Sequence, residues 1–294
     1  MDERPDRHGG GESRLSKLNL VVKIGSMALV QKQEHAIDYN IFQRLGADLR
    51  PGMALVTSGA TEIGRLDYLQ RAGHELCGDA EQDKADYAAQ GQTILMNTYR
   101  SFIRPEYGVR QFLVEHTHFN DEQRREHIRE LLERCVEQGV IPIINYNDPL
   151  NDEELRKMEI ASRRAEGREV VECVDNDETA EVVAKLMGAQ TLILLTSTDG
   201  IYLNRDDPST LVHLVTGDSI NEVRAQVEAL MRHCVGASRS GANGAKAKLA
   251  FAMRAVESGT NVIIGHARRH ITELMDGSVP CTRLGVGLGR EGDR

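Results

Sequence analysis

Short apolar runs recur along this chain, and each stops in small or polar residues. Leu20–Ile24, Ala54–Thr57, Val140–Ile144, Thr191–Leu195 and Asn261–Ile264 are the clearest, all rich in Val, Ile and Leu. Runs of this length, bounded by turn residues, predict strands buried on both faces. Between them the apolar spacing changes to the helical period. Asn120–Gln138 carries Ile128, Leu131, Leu132 and Cys135 on one face and is closed by Gly139. Thr179–Met187 and Lys248–Glu257 repeat the pattern, with Gly188 and Gly259 just past their ends. A glycine there supplies the left-handed residue that ends many helices. Buried strands alternating with helices predict an α/β fold with a mainly parallel sheet. In such sheets ligands gather at the carboxyl edge of the strands.

Two stretches interrupt the alternation. Leu66–Asp86 and Asp152–Glu172 are charge-rich and lack strand character, and the second holds Arg156, Lys157, Arg163, Arg164 and Arg168 among glutamates. Both read as insertions forming a solvated helix or hairpin. Residues 1–17 are polar and Gly-rich and read as a disordered tail. They hold no apolar core of a signal peptide. Order is expected from Leu18, with residues 18–294 as one domain.

The chain has 294 residues, close to the upper limit for a single core. Its charge of -9, from 36 basic and 45 acidic side chains, and its lack of Trp argue against a general nucleic-acid binder. No apolar run approaches the ~18 residues of a membrane span. The five cysteines are scattered without a CxxC pair, so neither a disulfide framework nor a zinc site is expected. A cytoplasmic protein with reduced thiols fits this pattern.

Candidate chemistry lies where the strands end. Lys23 interrupts an apolar strand just before Gly25-Ser26, and a lysine there either reaches solvent or offers a point charge to a phosphate. Ser58-Gly59-Ala60 joins a strand to a helix start, which either caps the helix or receives an anion. Asn145-Tyr146-Asn147-Asp148 offers groups for an ammonium and a carboxylate, or an Asx turn before Pro149. Asp175-Asn176-Asp177-Glu178 crowds acceptors at a helix start, more than one cap needs, and like charges together call for a cation. Thr196–Tyr202 follows a buried strand. Gly241–Lys248 is a small-residue loop with lysines, phosphate-binding in composition but without the Walker A pattern.

The order of these motifs is more specific than any one of them. The chain resembles the glutamate 5-kinases of the amino-acid kinase superfamily from about Leu20 to about Gly285. The matching stretches are Val21–Ser26, Leu55–Ala60, Gly91–Tyr99, Gly139–Asp148, Asp175–Asp177, Leu192–Tyr202, Gly244–Leu249 and Ile271–Gly285. The resemblance implies a three-layer α/β/α sandwich, with an acceptor-binding lobe at about 18–180 and a nucleotide-binding lobe at about 181–294. It implies transfer of the γ-phosphoryl group of ATP, with Mg²⁺, to the side-chain carboxylate of L-glutamate, the first step of proline biosynthesis. Lys23, Asp177 and Lys248 are then catalytic, the aspartate organising the two lysines. Ser58, Gly59, Ala60, Asp148 and Asn176 hold glutamate, the last two near its amino group. Lys23, Thr196, Ser197, Ala242, Asn243, Gly244, Ala245, Lys246, Ala247 and Lys248 contact the nucleotide. No resident metal site is implied.

Some positions depart from the family. The loop 241–245 reads Gly-Ala-Asn-Gly-Ala where Gly-Thr-Gly-Gly-Met is usual, and Ser197 stands where Asp is common. Val174 replaces a Gly, Tyr146 replaces a Glu, and the Asp152–Glu172 segment is long for a loop that answers to proline. The PUA domain of many members is not expected, since little chain follows Gly285. The resemblance further implies a homo-oligomer, feedback by proline, and a glutamyl phosphate reductase as partner, with no nucleic acid or membrane. Two other readings stay open. One is a kinase of this fold acting on a different carboxylate or phosphate. The other is a non-catalytic amino-acid sensor, which would need neither lysine.

Overall fold

The computed structural model describes residues 17–31, 33–168, 170–173, 175–204, 206–233 and 244–289. Eight strands make the main sheet: β1 (Leu20–Ile24), β2 (Met53–Thr57), β3 (Gly108–Val114), β4 (Val140–Tyr146), β5 (Thr191–Thr196), β6 (Leu214–Gly217), β7 (Asn261–His266) and β8 (Cys281–Val286). Their order across the sheet is β6-β8-β7-β5-β1-β2-β4-β3. Every pairing is parallel except that of β8 with β7. Each of the five apolar runs lies in one of these strands, with ends that differ by up to two residues. They occupy adjacent places in the middle of the sheet, where both faces are covered and every position can be apolar. The strands without such runs are β3, β6 and β8. At the β3 edge, half-buried and exposed positions interleave, so no continuous apolar run marks it.

Helices cover both faces. Helices α1 (Tyr39–Asp48), α2 (Ala60–Ala72), α3 (Ala80–Phe102) and α10 (Ile271–Asp276) cover one. Their Phe42, Ile63, Leu95 and Leu274 pack on Val22, Ile24, Leu55 and Ile193 of the sheet. Helices α4 (His116–Asn120), α5 (Glu122–Glu137), α7 (Asn176–Met187), α8 (Ile220–His233) and α9 (Ala245–Glu257) cover the other. There Leu132, Val183, Val227 and Leu249 meet Val21, Val56, Leu192 and Val262. Alternate strand residues thus feed two cores, and the three-layer sandwich follows from the pleat.

The helix expected over Asn120–Gln138 is α5, two residues shorter at its start because Asp121 caps it through the Arg124 N–H; α4 is a separate short helix ending at Asn120. The segment Leu66–Asp86 is the end of α2, a loop over residues 73–79 and the first turns of α3. In Asp152–Glu172 lies α6 (Glu153–Ala165), which is more than a solvated helix. Arg156 and Ile160 are buried, and Arg156 donates to the Glu172 carbonyl at 3.0 Å. Across from α6, His116 lies 2.7 Å from Glu159, and Arg163 donates to the Asn120 carbonyl. No helix among the described residues is long and apolar enough to cross a membrane.

Candidate active site

Three elements distant in sequence converge at the carboxyl edge. Lys23 is the fourth residue of β1, on the face covered by α7 and α9. Asp177 opens α7, and Lys248 lies in the first turn of α9. Lys23 Nζ is 2.6 Å from Asp177 Oδ1, and Lys248 Nζ bonds the other carboxylate oxygen. Lys23 is 7% exposed and Asp177 only 2%. A buried lysine in a strand needs a counter-charge, and here one carboxylate serves two ammoniums, leaving the triad at a net charge of +1.

Burial opposes charge on all three groups, with different outcomes. For Asp177 the two ammoniums outweigh burial and drive the carboxyl far below the usual carboxylate range. For Lys23 burial pulls downward, but Asp177 and then Asp175 outweigh it and hold the ammonium above its ordinary value. For Lys248 burial dominates. Asp177 opposes it, the charge of Lys23 adds to it, and the group sits below its ordinary value. The start of α7 helps hold the anion, since helix amino termini favour negative charge. Asp175 caps that helix by accepting from the Asp177 N–H.

A second polar cluster lies beside the triad. Ser58 extends the β1–β2 pairing by donating its N–H to the Ile24 carbonyl at 3.1 Å. Gly59 then turns the chain into α2 with φ of 108°, a left-handed conformation that favours glycine. It has no side chain to cap α2, so the N–H groups from Ala60 onward keep their anion-binding capacity. Asn176 donates from Nδ2 to Ser58 Oγ at 2.8 Å and to Asn145 Oδ1 at 3.1 Å. Asp148 starts the 3-10 turn Asp148–Leu150 just beyond β4, packed against α3. Burial pushes its carboxyl up to about 6, against the pull of the Lys84 charge on α3.

The structure thus brings Lys23, Asp177 and Lys248 together, and separately joins Ser58 to Asn176. Asp148 sits on the same edge without a bond to either group. The other candidates are more dispersed. Thr196 ends β5, and its hydroxyl closes a turn with Thr198, donating to the Thr198 carbonyl and accepting its N–H. Ser197 is exposed. Gly244 precedes α9, and Ala245, Lys246 and Ala247 form its first turn with Lys248. Lys246 lines a cavity of about 330 Å³ with Glu228, Met231 and Arg232 of α8. Ala242 and Asn243 lie outside the described residues.

Sequence reasoning singled out no role for Gln92, Tyr99 or Lys84. Gln92 accepts from Asn145 Nδ2 at 2.9 Å, and the Tyr99 hydroxyl is 2.7 Å from Thr57 Oγ1, next to Ser58. Gln92 and Tyr99 had two signals, their place in the family-matching stretch Gly91–Tyr99 and their polar groups on the face of a helix that packs on the sheet, whereas nothing in the sequence singled out Lys84. Asn147 and Tyr146, by contrast, tie down loops, bonding Glu115 at 2.7 Å and Asn151 at 3.0 Å. Among the described residues no cluster of three or more His, Cys, Asp or Glu side chains is arranged to hold a metal.

The profile described as "Amino acid kinase family" matches residues 19–266. A glutamate 5-kinase of Clostridium acetobutylicum is 31% identical over 268 residues, 88% of this chain and 90% of that protein. A glutamate 5-kinase of Listeria innocua is 30% identical over 278 residues, 90% and 92% of the two chains. Among solved structures, the carbamate kinase from Giardia lamblia bound to AMP-PNP superposes with a TM-score of 0.59 at 11% identity, covering 92% of this chain and 99% of that one. An isopentenyl phosphate kinase in complex with substrate gives a TM-score of 0.53 at 10% identity, covering 92% and 99%. At these identities the structural matches speak for the fold alone.

Proposed function

The chain belongs to the amino acid kinase family, and on that premise we propose that it transfers the γ-phosphoryl group of ATP to the side-chain carboxylate of L-glutamate. The product, L-glutamyl 5-phosphate, opens the route to proline. The observation that carries this reading is the pair of lysines held by one buried aspartate at the carboxyl edge. The relatives named glutamate 5-kinase, covered along nearly their whole length, supply the acceptor.

The chemistry needs no strong base, because a side-chain carboxylate of reference pKa ~4.3 is already ionised at neutral pH. The difficulty is to bring one anion against another. Magnesium arrives as part of the Mg-ATP substrate and neutralises phosphate charge. Lys23 and Lys248 act on the transferring group from two sides, where a water-poor edge magnifies their effect. A carboxylate oxygen of glutamate bonds to the γ-phosphorus, the bond from that phosphorus to the bridging oxygen breaks, and ADP leaves. Asp177 keeps both ammoniums charged and aimed. Ser58, the N–H groups of Gly59 and Ala60, Asn176 and Asp148 hold the amino acid, with Asp148 facing its ammonium. Holding donor and acceptor in line contributes much of the remaining acceleration.

The nucleotide lies on the lobe of residues 181–294, over Thr196, Ser197 and the segment from Ala242 to Lys248, and the acceptor on that of residues 18–180. A homo-oligomer, feedback by proline through the Asp152–Glu172 segment, and a reductase that takes up the labile acyl phosphate belong to the same proposal.

Hydroxylamine converts acyl phosphates to hydroxamates and tests the reading directly. With Mg-ATP, L-glutamate should give hydroxamate, whereas aspartate, N-acetylglutamate and glutarate should not. Hydroxamate from another acid in place of glutamate would replace the acceptor. No product from any acid, with glutamate still bound in calorimetry, would favour a sensor.

A further inference from the structure

Helix α3 lies on the face of the sheet opposite α7 and α9, yet its stretch Gly91–Tyr99 reaches the carboxyl edge. Gly91 allows the approach, because a Cβ there would stand 1.8 Å from the Ala60 carbonyl oxygen. One residue on, Gln92 is 7% exposed and contacts Asn145 at the end of β4. From Gln92 a chain of amides crosses the edge: Gln92, Asn145, Asn176, and then the hydroxyl of Ser58.

The direction of this chain is fixed at one point. The Tyr146 N–H donates to Asn145 Oδ1 at 2.9 Å, and a backbone donor cannot be turned around. Asn145 must therefore present Nδ2 to Gln92, and Gln92 must answer with Oε1. The cost is visible: Gln92 Nε2 is buried with no hydrogen-bond partner among the described residues. On the other side Asn145 Oδ1 also receives Asn176 Nδ2, so Asn176 Oδ1 is left without a hydrogen-bond partner there. Ser58 Oγ receives the same Nδ2 group, which leaves its own proton to be donated elsewhere. A buried amide with an unmet donor is unfavourable by itself. Its persistence makes sense if anchoring Asn145 Nδ2 is what matters.

We propose that Gln92 is a positioning residue for the acceptor: with the Tyr146 N–H setting which way the Asn145 amide faces, Gln92 Oε1 holds Asn145 Nδ2 in place, and the anchored Asn145 oxygen turns the Asn176 oxygen towards an ammonium and the Ser58 proton towards a carboxylate. This rests on the reading of the acceptor as an amino acid. An α-amino acid carries both groups, whereas a simple dicarboxylate leaves the Asn176 oxygen unmatched. Gln92 touches no reacting atom and acts through Asn145.

The test is a steady-state comparison of wild type, Gln92→Met, Gln92→Glu, Asn145→Ala and the Gln92→Met/Asn145→Ala double variant, all checked for folding by circular dichroism. Gln92→Met should raise KM for glutamate by about 5- to 100-fold, the span expected when one buried hydrogen-bond partner is removed. Its kcat and KM for ATP should stay near wild type, as weakened ground-state binding requires. Gln92→Glu keeps an acceptor oxygen for Asn145 and should restore KM. With Asn145 already removed, Gln92→Met should add nothing further. An unchanged KM in Gln92→Met, or effects that simply add in the double variant, would overturn the positioning role while wild type still makes glutamyl hydroxamate. A wild type that makes none would overturn the acceptor reading, and this proposal with it. Should Gln92→Met fail to fold, a wild-type KM in Asn145→Ala would overturn the proposal equally.

Discussion

Replacing Asp177 by Asn keeps the shape of the triad and removes its only negative charge. Lys23 and Lys248 then face each other across a neutral amide, the first buried and the second half-buried. Breaking a buried ion pair by removing one partner costs about 3–5 kcal/mol. For a chain of this size that is of order 10 °C in Tm. The lysines relieve part of the strain by losing protons. Lys248, already below its ordinary value, is the first to do so. Taking one preorganised donor away from a developing charge lowers kcat by about 10²–10³-fold. A fall of about 10²–10³-fold near pH 8 is therefore expected.

The variant's pH dependence separates this account from general damage. With Asp177 gone, burial of Lys23 and Lys248 is no longer offset by its charge and should push their folded-state pKa values down, so the folded state should bind fewer protons than the unfolded one and stability should rise with pH. Activity needs the protons and should instead recover as pH falls. Rate and Tm of Asp177→Asn should thus move in opposite directions with pH, measured by acceptor-dependent ADP release and by thermal melts. Parallel movement of the two, or kcat within about threefold of wild type, would refute the reasoning.

Three further outcomes are expected. Because burial pushes the Asp148 carboxyl up to about 6, KM for glutamate should rise as pH falls through that value, while glutamate itself stays ionised. Asp148→Asn should remove that pH dependence and hold KM high throughout, as titration of KM from pH 5 to pH 8 would reveal. Lys84→Met removes the charge that restrains Asp148, so the acid-side rise in KM should move to higher pH; an unmoved profile would mean that Lys84 does not act on Asp148. Gly91→Ala places a methyl 1.8 Å from the Ala60 carbonyl oxygen and 2.5 Å from the Gly64 nitrogen, backbone atoms that cannot yield cheaply. It should destabilise by about 1–3 kcal/mol or more in urea melts; an unchanged midpoint would contradict the close helix approach.

The centre of this fold was legible because its strands are covered on both faces and need no polar positions. Leu20–Ile24 begins and ends as its apolar run does. The edge strands were not legible, since β3 alternates exposure and carries Arg110 and Gln111 within it. In the site, Lys23 stood out because a lysine in a buried strand demands a partner. Its partner Asp177 could be named only through the family's motif order, since nothing local links residues 154 positions apart. The amide chain was harder still. Gln92, Asn145 and Asn176 meet only when β4 and helices α3 and α7 are assembled, and no spacing within any one element encodes their meeting.

The central claim is that a side-chain carboxylate oxygen of glutamate attacks the γ-phosphorus. Glutamate labelled with ¹⁸O in that carboxylate tests it most directly. Glutamyl 5-phosphate cyclises as its amine attacks the acyl carbon, releasing phosphate that keeps the oxygen through which it was attached. Mass spectrometry of phosphate formed with Mg-ATP should therefore find one ¹⁸O per molecule. Unlabelled phosphate, formed at a rate that depends on glutamate, would mean that the phosphoryl group went to another atom, and the account would fail at its first step.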